Sequence, residues 1–354
     1  MSKLIVLTGG GTAGHVMPNL ALLPKLKGAG FDVVYVGSAG VEKNLAASAG
    51  LPFYQISTGK LRRYLSLQNF LDIGRIIVGL FQAIGLMLKL RPSIVFSKGG
   101  FVAVPVTLAA WICRIPVVTH ESDYSPGLAN KIIAPFSKTI LYTFPETSKF
   151  LLPEKSHLVG TPVREDLFRG KAERGRALCG FSDQKPILLV MGGSQGAQRI
   201  NEALKAILPK LILKFNVVHL TGKGKSIGFN GDGYRSFEFL GEELKDVLAA
   251  ADLVVSRAGA NSIFEFLALR KPMLLVPLEV GSRGDQVLNA KSFTGKGWAL
   301  TLPETQMTGE LLEKAIQELN SNSKIIVKNQ EVAAIESVPT KIVEILVKNS
   351  HANG

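Results

Sequence analysis

The chain is poor in the features that mark several protein classes. Only two of its 354 residues are cysteine, Cys113 and Cys179. Two thiols in apolar stretches make neither a disulfide framework nor a zinc site, so both read as buried filler in a protein of a reducing compartment. Long apolar runs are missing too. The longest windows, 76–88 and 101–113, hold about 13 residues each, short of the ~20 that cross a bilayer. The start, Met1-Ser2-Lys3, runs into a strand pattern without a small-residue cleavage site, so no signal peptide is expected. Acidic residues are scarce beside basic ones, 28 Asp plus Glu against 41 Lys plus Arg, for a formal charge of +13. Such a surplus suits nucleic acid, nucleotide diphosphates or an anionic membrane surface. Aromatic residues make up 7% and do not cluster among basic ones, which counts against a nucleic-acid groove lined with stacking platforms. No D-x-D pair ends a strand, so neither a metal nor another cofactor is expected.

What is present is a repeated unit: a β-branched run, a glycine-bearing loop, then an amphipathic helix. It occurs at 4–7 into Gly9–Gly14, at 33–36 into Gly37–Gly40, at 94–96 into Lys98-Gly99-Gly100, and at 117–119 into His120–Gly127. A second series begins after Gly160-Thr161-Pro162: 187–191 into Gly192–Gly196, 217–220 into Gly222–Gly224, 253–256 into Gly259, and 273–276 into Pro277–Gly284. Strands alternating with helices imply parallel βαβ units. The expected fold is therefore α/β, with two Rossmann-type doubly wound domains facing a cleft. The first spans 1–162 and the second 163–337, and a C-terminal helix at about 338–354 is a candidate to return to the first. Ligands of such sheets sit at the strand C-ends. The basic excess is concentrated in residues 1–160, with 16 basic against 7 acidic side chains.

The loops carry the chemistry. Gly9-Gly10-Gly11-Thr12-Ala13-Gly14-His15 fits G-x-G-x-x-G, with Pro18 expected in the first turn of the helix. Its glycines let backbone approach a phosphate or sugar. The second strand ends Val36-Gly37-Ser38 without the acid that would hold a dinucleotide ribose, which argues against nicotinamide. Gly192-Gly193-Ser194-Gln195-Gly196 offers N–H groups and a hydroxyl to an anionic oxygen, or is a plain tight turn. At Ser256-Arg257-Ala258-Gly259-Ala260-Asn261-Ser262 a helix begins that suits a diphosphate. Glu265, one turn inside, suits ribose hydroxyls, or is an acid favoured by the helix dipole. Arg283-Gly284-Asp285-Gln286 and Asn289 offer polar groups to a sugar. His120-Glu121-Ser122-Asp123 and Asn130 occupy a loop of the first domain. His15 and these carboxylates are its candidate proton-transfer groups, histidine slightly favoured, with hydrogen-bonding roles equally open. Lys60-Leu61-Arg62-Arg63-Tyr64 and the apolar segment to Arg91, with Phe70 and Phe81, form either a lipid-docking surface or an ordinary sheet-covering helix.

Six motifs in this order resemble the MurG family: the glycine loop with Thr12 and His15, Lys98-Gly99-Gly100-Phe101, His120-Glu121-Ser122-Asp123, Gly160-Thr161-Pro162-Val163-Arg164, Gly192-Gly193-Ser194-Gln195-Gly196 and Ser256-Arg257-Ala258-Gly259. The resemblance covers essentially the whole chain. It implies the glycosyltransferase-B fold and a peripheral enzyme on the cytoplasmic face of the membrane, free of cofactors. That enzyme would move N-acetylglucosamine from UDP-GlcNAc to the 4-hydroxyl of lipid I, with inversion, giving lipid II for peptidoglycan. Its partners would be the two substrates and an anionic membrane, without nucleic acid. By resemblance, Arg164, Ser194 and Gln286 contact the nucleotide sugar, Glu265 the ribose, and Leu240 offers backbone to uracil. Gly259, Ala260, Asn261, Ser262 and Asp285 complete the donor side. Thr12, Ala13, Gly14 and the 120–123 loop with Asn130 face donor sugar and acceptor, with His15 the favoured base. The chain departs from the pattern at Ala13, where many members have Gly, and at Asp285, where some have Gln. It also has Ser122-Asp123 in place of Gln-Asn, which makes Asp123 a second candidate base. Another UDP-sugar enzyme of this fold, a glycolipid synthase or an epimerase, is the nearest rival.

Overall fold

A computed structural model describes residues 3–59, 67–193, 196–280, 283–333 and 337–350. The basic cluster 60–64 and Ser194 lie outside the described residues. The chain divides into two compact units, one of residues 1–164 with 335–354, the other of residues 165–334.

In the first unit, β1 (Lys3–Thr8), β2 (Phe31–Gly37), β3 (Phe53–Gln55), β4 (Ile94–Ser97), β5 (Val117–Glu121), β6 (Thr139–Tyr142) and β7 (Ser156–Leu158) form a parallel sheet in the order β3-β2-β1-β4-β5-β6-β7. Its central strands are apolar on both faces because helices cover both. Alternation along β1 shows this directly. Ile5 and Leu7 pack with Leu22, Leu26, Ile342 and Leu346, while Val6 packs with Ile56, Met87, Val95 and Ala109 on the other face. The helix Val338–Asn349 thus belongs to the first core, and Lys3 Nζ donates to Ser350 Oγ at 3.1 Å. The helix Leu67–Leu90 lies against the other face. A Cβ at Gly79 would stand 1.9 Å from the Ser57 carbonyl oxygen, so only glycine permits that approach.

In the second unit, β8 (Ile187–Met191), β9 (Asn216–Leu220), β10 (Tyr234–Phe237), β11 (Leu253–Ser256), β12 (Met273–Leu275) and β13 (Leu300–Thr301) make a parallel sheet in the order β10-β9-β8-β11-β12-β13. Leu188 and Val190 of β8 share a core with Ile200, Leu204, Ile316 and Leu319. Each sheet reverses its strand order beside its first strand, between β1 and β4 and between β8 and β11. In open α/β sheets ligand crevices lie at the C-ends of such strands. Two details differ from the sequence reading. Pro18 is the sixth residue of the helix Ala13–Ala21, beyond its first turn, because the helix starts inside the glycine motif. Cys113 is only partly buried, at the end of the helix Ala103–Ile112.

Candidate active site

The loop after β1 is anchored from below. Tyr35 Oη donates to the Gly9 carbonyl at 2.6 Å, and Asn19 Nδ2 donates to the Thr8 carbonyl at 3.1 Å and to Tyr35 Oη at 3.1 Å. Burial raises the Tyr35 phenol, so it stays a donor. Glu42, fully buried on the helix Val41–Ser48, accepts from the Gly11 N–H at 3.4 Å. Above these anchors the helix Ala13–Ala21 begins with Thr12 as its N-cap residue. The Thr12 hydroxyl does not cap a backbone N–H; it lies 3.0 Å from His15 Nδ1. Thr12 and Gly14 are exposed and Ala13 and His15 half-buried, so this edge offers backbone N–H groups, a hydroxyl and an imidazole together.

The loops after β4 and β5 meet it. A Cβ at Gly100 would lie 2.4 Å from the Gly10 carbonyl and 3.4 Å from His15 Nδ1, and one at Gly99 would strike Asn130. Beneath them Lys98 is 2% exposed. Its Nζ lies 2.5 Å from His120 Nδ1 and donates to Ser122 Oγ at 2.6 Å. Burial pushes its ammonium down to about 7, against the pull of the Glu121 and Asp123 carboxylates. His120 Nε2 lies 2.7 Å from the Gly160 carbonyl, which needs an N–H there, so Nδ1 is the acceptor facing Lys98. Burial, then the Lys98 charge, hold His120 well below its ordinary value, so it is neutral.

The expected sugar-facing role of His120, Glu121 and Asn130 is not what their side chains do. His120 is wholly buried, with both ring nitrogens engaged. Glu121 accepts from the Asp123 N–H at 2.9 Å, the Gly127 N–H at 3.0 Å and Asn130 Nδ2 at 2.7 Å. A chain reversal leaves the Asp123 and Gly127 N–H groups without strand partners, and a carboxylate satisfies both at once. The three residues therefore frame the loop, while Ser122 and Asp123 remain half-exposed on it. The sequence names Lys98 only as part of a motif, without a role, and does not mark Glu42. A lysine directly after a buried strand was the available sign for the first; nothing local marked the second.

In the second unit the helix Ala260–Ala268 follows β11 with Gly259 as its N-cap, and a Cβ at Gly259 would meet nothing within 4 Å. Gly259, Asn261, Ser262 and Glu265 are half-buried, and Ala260 is buried. Asn289, fully buried on the helix Asp285–Gly295, donates to the Ala258 carbonyl at 3.1 Å and ties the two helix starts together. Gln286 Oε1 accepts from the Leu278 N–H at 3.0 Å, and Asp285 pairs with Arg283 at 3.5 Å. Arg257 turns away from the turn it precedes, toward Glu304 and the Val276 carbonyl, and braces β12. Leu240 has a buried side chain beside exposed Phe239. Arg164 is half-buried at the end of the first unit. Ser194 is outside the described residues.

The chain matches known proteins along both units. Residues 5–142 match the glycosyltransferase family 28 N-terminal domain and residues 187–344 its C-terminal domain. A Geobacillus thermodenitrificans relative is 53% identical over 355 residues, 99% of each chain. A Clostridium perfringens relative is 48% identical over 352 residues, 98% of each. Both are named UDP-N-acetylglucosamine--N-acetylmuramyl-(pentapeptide) pyrophosphoryl-undecaprenol N-acetylglucosamine transferase. The crystal structure of Acinetobacter baumannii MurG matches with a TM-score of 0.76 and 26% identity, covering 98% of this chain and 100% of that one. The glycosyltransferase of kitacinnamycin shares the fold, at a TM-score of 0.76 and 16% identity over 99% of this chain and 100% of its own. The chain belongs to glycosyltransferase family 28, and within it to the MurG family whose series of motifs its sequence carries.

Proposed function

We propose that the chain transfers N-acetylglucosamine from UDP-N-acetylglucosamine to the 4-hydroxyl of lipid-linked N-acetylmuramyl-pentapeptide, at the cytoplasmic face of the membrane. The observation that carries the division of labour is the contrast between the two loop sets. In the second unit two helix starts, tied by Asn289, present N–H groups and a positive dipole end. That suits a diphosphate, with Glu265 on the ribose and the 239–240 backbone beside uracil. As the bond to the sugar breaks, UDP gains charge, and the start of Ala260–Ala268 stabilises it. Asp285 and Gln286 stand beside the donor sugar, and Arg164 and Ser194 keep the donor contacts that the family resemblance implies.

The first unit receives the acceptor. His15 as base requires the tautomer in which Nδ1–H donates to Thr12 Oγ1, which makes Nε2 the basic nitrogen. It takes the proton of the 4-hydroxyl as that oxygen attacks the anomeric carbon opposite UDP, giving the β-linkage. Asp123, held by Glu121 through its N–H, is the alternative base. The helix Leu67–Leu90 brings a lipid-docking face, with Ile77, Val78, Phe81 and Leu88 exposed in helical spacing beside exposed Trp111 and Ile112. Among the described residues no helix is long and apolar enough to cross a membrane, so this face would lie on the lipid surface. The same basic surplus needs no nucleic-acid partner.

The test is transfer of labelled N-acetylglucosamine from UDP to a lipid I analogue in detergent, for wild type and Glu265→Ala. Wild-type product, with an acceptor-independent rise in the donor KM for Glu265→Ala, supports the assignment. Release or epimerisation of the sugar without acceptor would replace it with the epimerase reading.

A further inference from the structure

Glu42 has no part in the scheme above, yet the region around it is shaped to hold it. It is the second residue of the helix Val41–Ser48 and is 0% exposed. Its Oε1 accepts from the Ser38 N–H at 3.1 Å and from the Ser38 hydroxyl, while Oε2 takes the Gly11 N–H at 3.4 Å. Every partner is a donor, which fits the ionised, acceptor-only carboxylate. Three glycines clear its volume. A Cβ at Gly10 would lie 2.6 Å from Oε1, one at Gly40 2.8 Å from Oε2, and one at Gly37 2.9 Å from Cγ. None of the three has a positive φ, so backbone conformation does not demand glycine at any of them. The carboxylate does.

We propose that Glu42 is a positioning residue for the transfer reaction. It pulls the Gly11 N–H downward while Tyr35 and Asn19 hold the Gly9 and Thr8 carbonyls. Three backbone groups of residues 8–11, the Thr8 and Gly9 carbonyls and the Gly11 N–H, are thus engaged from beneath, and the loop is fixed where Thr12 and His15 meet the acceptor. A group set out of place by even 1 Å forfeits as much as ~100-fold in rate, and a glycine-rich segment has little stiffness of its own. This role rests on the transferase reading of the first unit.

Glu42→Gln separates positioning from folding. Both carboxylate oxygens face donors, so the new NH₂ must face a donor as well. The two Ser38 contacts are the shorter, so the amide oxygen takes them and the NH₂ opposes the Gly11 N–H. Volume and the Ser38 clamp are kept, while the pull on Gly11 becomes a push. The expected result is a kcat lowered roughly ten- to hundred-fold at saturating substrates, with the KM for UDP-N-acetylglucosamine nearly unchanged and the melting of the first unit lowered by only several degrees, so that the protein is still folded at the assay temperature. Gly10→Ala should likewise slow the wild type about tenfold, yet change Glu42→Ala less than about twofold, because the obstructing carboxylate is gone. A Glu42→Gln kcat within about twofold of wild type, or a loss matched by an equal loss of folded protein, overturns the positioning role alone. Absence of transfer by the wild type overturns the transferase reading and this role with it.

Discussion

Lys98→Met should flatten the pH dependence of stability in the first unit. The Lys98 amine is 2% exposed and meets two neutral acceptors, and burial pushes it from 10.5 down to about 7. Below pH 7 the amine is protonated whether folded or unfolded, and the fold bears the whole cost of the buried charge. Above about 10.5 it is neutral in both states and bears none. Between the two the unfolded chain holds one more proton, so stability rises with pH by up to ~1.4 kcal/mol per unit. Across the window the gain is of order a few kcal/mol. Methionine keeps the length of the stem and removes the proton, so this rise disappears, apart from an offset of about 1–3 kcal/mol for the orphaned His120 acceptor. Urea unfolding at pH 7, 8, 9 and 10 would measure it. Two units need not unfold together, so Trp298→Phe is used as the background, leaving Trp111 of the first unit as the reporter. Lys271 and Tyr35, also shifted by burial, cancel in the difference. Parallel curves for the two proteins would refute the reasoning, since Lys98 would then keep its charge in the fold.

Two other outcomes test the site. His15→Ala should lower kcat about 10²–10⁴-fold with donor affinity kept, and a larger loss in Asp123→Asn would move the base to Asp123. Phe81→Glu, at a position 69% exposed, should reduce cosedimentation with anionic vesicles while leaving turnover of a short-chain, water-soluble acceptor intact; unchanged vesicle binding would remove the helix Leu67–Leu90 from the membrane.

Much of the fold was legible because the signal is local. An apolar run, a glycine loop and an amphipathic helix recur, and all their loops open at strand C-ends. Both parallel sheets follow from that alternation. The framework under the loops was not legible, because its partners come from strands adjacent in space and remote in sequence. Glu42 reaches Gly11 only because β2 lies beside β1, and Lys98 reaches His120 only because β5 lies beside β4. For the same reason His120, Glu121 and Asn130 looked like ligands. A polar residue in a loop has no periodicity to tell whether it points out or in; here the N–H groups of Asp123 and Gly127 hold Glu121 inward, Glu121 in turn holds Asn130, and Lys98 and the Gly160 carbonyl hold His120. Pro18 misleads differently: proline favours a helix start, but here the helix already begins within the glycine motif and Pro18 falls at its sixth residue.

The two units build the undersides of their first loops from different chemistry, and the difference follows from what each is proposed to hold. Beneath the second unit's first loop lies a neutral network. His219 contacts Tyr234 Oη and Asn201 Oδ1, each at 3.0 Å, and Asn201 Nδ2 donates to the Thr221 carbonyl at 3.0 Å. Burial pushes His219 down to about 4, so it carries no charge near neutrality. Beneath the first unit's loops lie Glu42 and Lys98, both buried and ionisable. Buried ions cost more than neutral groups of the same size, and a carboxylate under a diphosphate would weaken its binding by repulsion. A neutral floor therefore suits the first loop of the unit assigned to UDP. That unit's largely buried ion pair, Arg257 with Glu304, neutralises its own charge and turns toward the Val276 carbonyl instead, while the acid Glu265 is reserved for ribose hydroxyls. A charged floor is tolerable under a sugar hydroxyl, which has no charge to repel and must lose a proton. Exchanging the two chemistries should then be asymmetric. An acid introduced beneath the donor loop, as in Asn201→Asp, should raise the donor KM several-fold, whereas neutralising Glu42 should lower kcat and leave that KM alone.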